Sequence, residues 1–221
     1  MDNASLPTPA EILTATRTAA REVAIYQRSV VRTAVRRDHK LDKHDLVTEH
    51  DRRCEQIATA SLRAALPAAQ IVGEEYGVQP PALAAEDAGL TFFIDPIDGT
   101  SNFVAGMPTF AVSIGAALDG ELVAGVVNAP MLGHEFYAGA GLGAWVASFD
   151  TEGPVQLGEA RNRMAGECLV LTGFPNARDL GQWGPEGGEL ARALQRDVMA
   201  VRNVGSSAIE LAFVAAGWVD G

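Results

Sequence analysis

The sequence predicts a single domain of the α+β class, and three features lead there. Helix signals stand at both ends of the chain, and alternating strands joined by tight turns crowd its middle third. In addition, 48% of the 221 residues are hydrophobic, with no internal repeat. Length alone allows one large domain or two small ones. We expect one domain over residues 1–221, with an α+β part over about 8–150 and the start of an α/β part over about 151–221.

The elements follow in order. Thr8-Pro9-Ala10-Glu11 reads as a helix start: a threonine cap, a proline in the first turn and a glutamate three residues on. Ile12, Ala19, Val23 and Val30 then share one face, and this helix is expected to end near Arg32. Residues 36–43 mix charges without periodicity and read as a mobile surface loop. A second helix opens at Thr48 with Asp51 in the capping-box position; Cys54, Ile57, Ala58, Leu62 and Ala65 form its apolar stripe, and Pro67 stops it. A short strand over 70–72 leads into Gly73-Glu74-Glu75-Tyr76-Gly77, and residues 79–88, with two prolines, read as a loop.

Phe92-Phe93-Ile94 has the composition of a buried strand. Residues 111–118 and 122–128 alternate like strands and are joined by Asp119-Gly120, a strong hairpin signal. Further strands are expected over 135–138, 144–147, 168–172 and 201–204. A helix is expected over 189–198, and a last one is capped by Ser207 and runs through Ala216. Gly139 to Gly143 lies between strands with no crossover helix after it, which excludes a dinucleotide loop.

Composition excludes several classes. Seventeen basic against 28 acidic residues leave a net charge of −11, so nucleic acid or anionic lipid is not held by bulk electrostatics. Cys54 and Cys168 are too few for a disulfide scaffold or a cysteine zinc site, and read as buried thiols of a reducing compartment. Residues 1–9 lack the pattern of a signal peptide, and Leu211 to Val219 is far short of the roughly 20 apolar residues of a membrane helix. A cytoplasmic protein is expected.

Asp95-Pro96-Ile97-Asp98-Gly99-Thr100 puts two carboxylates three residues apart at the end of an apolar strand. Pro96 keeps Asp95 out of helical geometry, so the pair is expected to converge through a turn, as metal ligands would, with the Ile97 carbonyl free to join them. Gly99-Thr100-Ser101 would offer small residues and amides at a helix start, a seat for phosphate. An Asx-turn with an aspartate cap explains the same residues without a metal, and both readings stand. Glu74-Glu75 reads either as a solvated loop or as the place where Glu74 completes a hard-cation site with Asp95 and Asp98. Oxygen-only ligands select Mg²⁺, Mn²⁺ or Ca²⁺ over zinc. His39, His44, His50 and His134 show no metal spacing and read as surface or supporting residues.

Together these residues resemble the inositol monophosphatase family of magnesium-dependent, lithium-sensitive phosphatases. The likeness rests on Gly73-Glu74-Glu75, on the run from Ile94 to Phe103, and on Pro108 with Ala111-Val112-Ser113-Ile114-Gly115. Asp45-Leu46-Val47-Thr48 with Asp51, and Gly205-Ser206-Ser207-Ala208, extend it over the chain from about Thr8 onward.

The resemblance implies a layered αβαβα sugar-phosphatase fold. It matches Glu74, Asp95, the Ile97 carbonyl and Asp98 to ligands of two or three Mg²⁺ ions. It makes Thr100 and Asp51 the pair that orients and deprotonates the attacking water. Gly99, Thr100, Ser101 and Ser206 become substrate contacts, and Lys40 sits where the family carries a lysine near the active site. Two simpler roles stay open: Asp51 completing a capping box with Thr48, and Thr100 closing the local turn. The implied reaction is hydrolysis of inositol 1-phosphate. Histidinol phosphate, fructose 1,6-bisphosphate or 3′-phosphoadenosine 5′-phosphate are alternatives. A small phosphate ester and a second copy of the chain are the implied partners, with neither nucleic acid nor membrane.

One departure stands out. Family members continue past the last helix to a Trp-Asp motif whose aspartate is a further metal ligand. Here the sequence ends at Gly221, and Trp218-Val219-Asp220 matches the strand start that precedes that motif. A C-terminally incomplete fold is therefore expected, either a fragment of a longer phosphatase or a shortened, catalytically impaired metal-binding chain. A strand edge left unpaired would lower stability or make folding depend on dimerisation.

Overall fold

Thr8 caps the first helix, α1 (Pro9–Val30), through the expected reciprocal box with Glu11, and Thr48 does the same for α2 (Glu49–Ala65) with Asp51. In both helices the cap and the apolar stripe fall where the sequence puts them. The structure, a computed structural model, describes residues 6–32, 37–39, 46–83, 89–148, 152–158 and 163–221, with backbone alone for 37–39 and 46–47. The chain divides into two compact units, Met1–Gln156 and Leu157–Gly221.

In the first unit, β1 (Arg37–His39) pairs antiparallel with β2 (Leu46–Thr48). Over 37–39 this corrects the expectation of a loop, and 36 and 40–43 lie outside the described residues; a three-residue charged strand carries no hydrophobic alternation, so pattern reading misses it. A larger sheet contains β3 (Gln70–Gly73), β4 (Gly77–Gln79), β5 (Leu90–Asp98), β6 (Ala111–Leu118), β7 (Glu121–Ala129), β8 (His134–Gly139), β9 (Gly143–Ser148) and β10 (Val155–Gln156). Their order across the sheet is β10-β9-β8-β7-β6-β5-β3-β4. The β3–β5 pair is parallel and the other neighbours are antiparallel. β4 was not expected and meets the loop expected over 79–88 only at Gln79, because three residues after a turn are too few to show a period. At the β6–β7 hairpin, Asp119 and Gly120 both take positive φ (52° and 84°), as the Asp-Gly signal requires.

The two long helices cover this sheet. α1 packs on α2 and on β6 to β8, and α2 packs on β5. Ile12, Ala19, Val23, Cys54, Leu62, Phe92 and Ile114 lie in the shared core, where each large side chain withdrawn from water contributes about 1.5–3 kcal/mol. Arg17 and Arg21 of α1 each place Nε 2.7 Å from the buried Glu135 carboxylate of β8, and the Arg17 guanidinium lies 3.5 Å above the Tyr137 ring. Helix and sheet are thus tied by charge as well as by apolar contact.

The short α3 (Thr100–Ala105) follows β5 directly. Gly99, at φ 93° and ψ 40°, makes the left-handed step between them. Phe103 anchors α3 in the core, edge-on to Phe110 (centroids 5.1 Å apart) and to His50 (5.7 Å). His50 is buried, with Nδ1 2.8 Å from the Tyr26 hydroxyl, so it is not the surface residue its lack of metal spacing left open.

The second unit holds β11 (Leu169–Leu171) parallel to β12 (Ala200–Arg202), with α4 (Ala177–Asp197) and α5 (Ser207–Ala215). α4 starts twelve residues before the helix expected over 189–198. An Asn176–Asp179 box opens it, and non-helical Gly184 with Pro185 kinks it. Ser206, not Ser207, caps α5, its Oγ accepting from the Ile209 amide at 3.4 Å. Residues 218–220 form no ladder strand. The Asp220 amide nonetheless donates to the Leu169 carbonyl (2.9 Å) and the Leu171 amide to that of Gly221 (2.6 Å), so these residues lie hydrogen-bonded along β11. Cys54 is a core thiol as expected, whereas Cys168 is only half-buried. Among the described residues no helix is long and apolar enough to cross a membrane.

Candidate active site

Three elements of the first unit meet at the carboxyl ends of β3 and β5. The parallel register sets Gly73 against Ile94, and the Glu74 amide donates to the Ile94 carbonyl (3.1 Å), which brings Glu74 beside Asp95. The motif itself departs from expectation. Asp95 to Asp98 is not a free turn but the end of β5, still paired with β6, where Asp95 opposes Ser113 and Asp98 opposes Ala111. Three steps on β5 face two on β6, so one extra residue is bulged out.

That bulge has a chemical consequence. Residues three apart in a regular strand point to opposite faces, and one inserted residue brings Asp98 back to the face of Asp95. Gln27 of α1, wholly buried, donates from Nε2 to the Pro96 carbonyl at 2.9 Å and holds the bulge from below.

The electrostatics show how crowded these acids are. Burial pushes the Asp95 carboxyl well above the usual range, and the charges of Glu74 and Asp98 push the same way. Its Oδ1 is buried with no hydrogen-bond partner. A buried acidic oxygen without a donor, flanked by two more carboxylates, fits a hard cation both in donor chemistry and in its unmet need for positive charge. Among the described residues no three His, Cys, Asp or Glu side chains already stand at ligating distance. The donors form an acidic mouth rather than an assembled cage.

Beside the mouth stands the hydroxyl–carboxylate pair. The Thr100 hydroxyl lies 3.1 Å from Asp51 Oδ1 and 3.0 Å from the Ile97 carbonyl. The Ile97 carbonyl is thus engaged by Thr100, and keeps one lone pair for another partner. Asp51 serves two masters with two oxygens: Oδ2 accepts from the Thr48 amide (2.8 Å) and hydroxyl (2.6 Å), while Oδ1 faces Thr100. The capping box and the contact with Thr100 coexist. Burial raises the Asp51 carboxyl, the Thr48 donors pull it back, and the charge of Glu75 adds to the rise.

The turn that presents Glu74 is itself templated. Glu55 of α2, buried, accepts from the amides of Glu75 (2.7 Å) and Tyr76 (3.2 Å) and from Gln79 Nε2 (3.2 Å). A side chain at Gly73 would overlap the Glu55 carboxylate and push it off the amides that it holds. Burial pushes the Glu55 carboxyl up, and the two amides pull it back. Neither Gln27 nor Glu55 was marked by the motif search. The signal was present: each is a polar residue set among the apolar positions of its helix.

Gly99, Thr100 and Ser101 stand at the start of α3, next to Asp98. Lys40 lies outside the described residues. Ser206 belongs to the second unit, where it caps α5.

Helices layered on a mixed sheet, with an acidic oxygen mouth at the ends of two parallel strands, define a mixed α/β protein with a candidate hard-cation site. The chain belongs to the inositol monophosphatase family, whose model matches residues 8–221. It is 36% identical over 198 residues to Nus factor SuhB of Pseudomonas aeruginosa, covering 87% of this chain and 68% of that protein. It is 35% identical over 184 residues to the inositol-1-monophosphatase of Mesorhizobium japonicum, covering 80% of this chain and 62% of that one. The chain therefore spans about three-fifths to two-thirds of the length of these relatives. The crystal structure of extragenic suppressor protein SuhB from Bartonella henselae superposes with a TM-score of 0.78 at 30% identity, over 96% of this chain and 76% of that one.

Proposed function

We propose that the protein is a Mg²⁺-dependent phosphomonoesterase of a small polyol phosphate, with inositol 1-phosphate as its substrate. The observation that carries this reading is the Thr100 hydroxyl held between Asp51 Oδ1 and the Ile97 carbonyl beside the acidic mouth. Glu74, Asp95, Asp98 and the Ile97 carbonyl are the groups that would hold the ions. Bound Mg²⁺ supplies neutralising charge for the phosphate dianion and lowers the pKa of water next to it.

The chain's own residues do the rest. A hydroxyl is a poor base alone, but Thr100 can accept a proton from water as it passes its own to Asp51 Oδ1. Burial raises the affinity of Asp51 for that proton. The water oxygen then bonds to phosphorus, the ester P–O bond breaks with its electron pair going to the leaving oxygen, and that oxygen takes a proton from solvent water and departs as the alcohol. The amides of Gly99 and Thr100, with Ser101, are the groups we assign to the phosphate and the substrate. The name of the M. japonicum relative supports the choice of substrate. A net charge of −11 supports a small ester, and not nucleic acid, as the partner.

Phosphate release tests the reading. Inositol 1-phosphate, histidinol phosphate, fructose 1,6-bisphosphate and 3′-phosphoadenosine 5′-phosphate are compared with and without Mg²⁺, with lithium as inhibitor. We expect Mg²⁺-dependent release that is fastest from inositol 1-phosphate and is lost in Asp98→Asn with the fold intact. Faster release from another of the four corrects the substrate. Metal-independent release, or full activity in Asp98→Asn, refutes the site.

A further inference from the structure

A cavity lies on another face of α2. Gln56, Thr59, Ala60 and Arg63 recur at helical spacing and form one wall of a cavity of about 350 Å³; Tyr76 and Gln79, at the turn and strand of β4, form the other. None of these six residues belongs to the acidic mouth.

Two atoms in this wall have no partner. Thr59 Oγ1 and Arg63 Nε are both buried and make no hydrogen bond. The Arg63 guanidinium is pinned by its Nη2, which donates to the Pro80 carbonyl at 3.1 Å, so Nε is not idle through a loose side chain. The Tyr76 hydroxyl accepts from Gln56 Nε2 at 2.8 Å and keeps its own proton to give. A buried donor left unmet forfeits its water without recompense, and such groups in folded proteins commonly mark a missing partner.

The inventory also has a sign. Arg63 can only donate, and Thr59 and Tyr76 have protons to offer. No carboxylate lines the cavity. The nearest acid on the same helix, Glu55, is already satisfied by two amides and Gln79. The volume is at the small end of ligand pockets, which run from about 300 to 1,000 Å³.

We propose that this cavity binds a small organic oxyanion, a phosphate or a carboxylate, held by Arg63 Nε and the Thr59 hydroxyl with the Tyr76 ring against its apolar part. An occupant touching Tyr76 bears on the same turn that presents Glu74, two residues earlier.

The probes are inorganic phosphate and acetate, each titrated into the isotope-labelled 221-residue chain at constant ionic strength with EDTA present. Without divalent ions the acidic mouth repels anions, so the result does not depend on the phosphatase reading. We expect saturable amide shifts at Thr59, Arg63 and Tyr76. Arg63→Gln should weaken the affinity about tenfold, the worth of one charge-assisted hydrogen bond; Thr59→Val should weaken it less, and Asp98→Asn should leave it unchanged. Saturation by only one of the two ions supports the site and names its class. Should Arg63→Gln fail to fold, Thr59→Val decides. Non-saturating shifts with both ions, or affinity unchanged in the folded variants, overturns the proposal.

Discussion

Thr100 and Asp51 are 49 residues apart in sequence and 3.1 Å apart in space. Their pairing came from family likeness, because no spacing rule links a cap residue of one helix to the first residue of another. What the residues themselves announced was the local half: Thr48 and Asp51 as a capping box, which the structure keeps. Gln27 and Glu55 escaped notice for a different reason. Polar side chains beside apolar stripes read as the stripe's edge, and only their partners, the Pro96 carbonyl and the Glu75–Tyr76 amides, show them to be internal. The role given to Thr100 can be checked by exchange of its hydroxyl. Thr100→Val keeps the shape and removes the proton carrier, so kcat should fall about 10²-fold or more. Thr100→Ser restores the hydroxyl and should recover most of it. Equal activity in the valine and serine variants would show that Thr100 merely closes the turn.

Among the elements, the bulge ending β5 decides whether Asp95 and Asp98 act together. Pro96 keeps Asp95 out of helical geometry, which is why Asp95 to Asp98 reads as a turn; the ladder to β6 instead continues across one extra residue. α1, α2 and the β6–β9 meander were legible because each repeats its period over many residues. β1, β4 and the first half of α4 were not, being too short or too rich in glycine. Gln27→Leu tests the support of the bulge. It removes the bond to Pro96 but also the Gln27 Oε1 that has no partner, so stability should change by only about 1 kcal/mol. kcat should nevertheless drop as the bulge loosens. A urea melt and a rate assay on the same sample check this, and a full rate in the variant would count against it.

The Glu74 turn carries a pH signature. The Glu55 carboxyl is raised by burial, so the folded state holds its proton to higher pH than the unfolded chain does. Its contribution to stability is therefore greatest below the usual carboxylate pKa, and is lost as pH rises through the raised one. Urea melts of the wild type and Glu55→Gln should show the wild type losing stability relative to the variant as pH rises from about 4. A relative gain over that range would mean that the amides outweigh burial.

At the scale of the whole molecule, an acidic chain brings Glu74, Asp95 and Asp98 together where two parallel strands end, and burial with the neighbouring charges raises the Asp95 carboxyl. Composition told the net sign; it could not tell that Asp95 would be left with an unpartnered oxygen between Glu74 and Asp98, since that depends on register and burial. The most direct measurement is a calorimetric titration of Mg²⁺ into the wild type and into Asp95→Asn. Saturable binding in the wild type that disappears in the variant, with both folded, is the outcome this account requires. Absence of binding in the wild type, or an unaltered isotherm in Asp95→Asn, would contradict it.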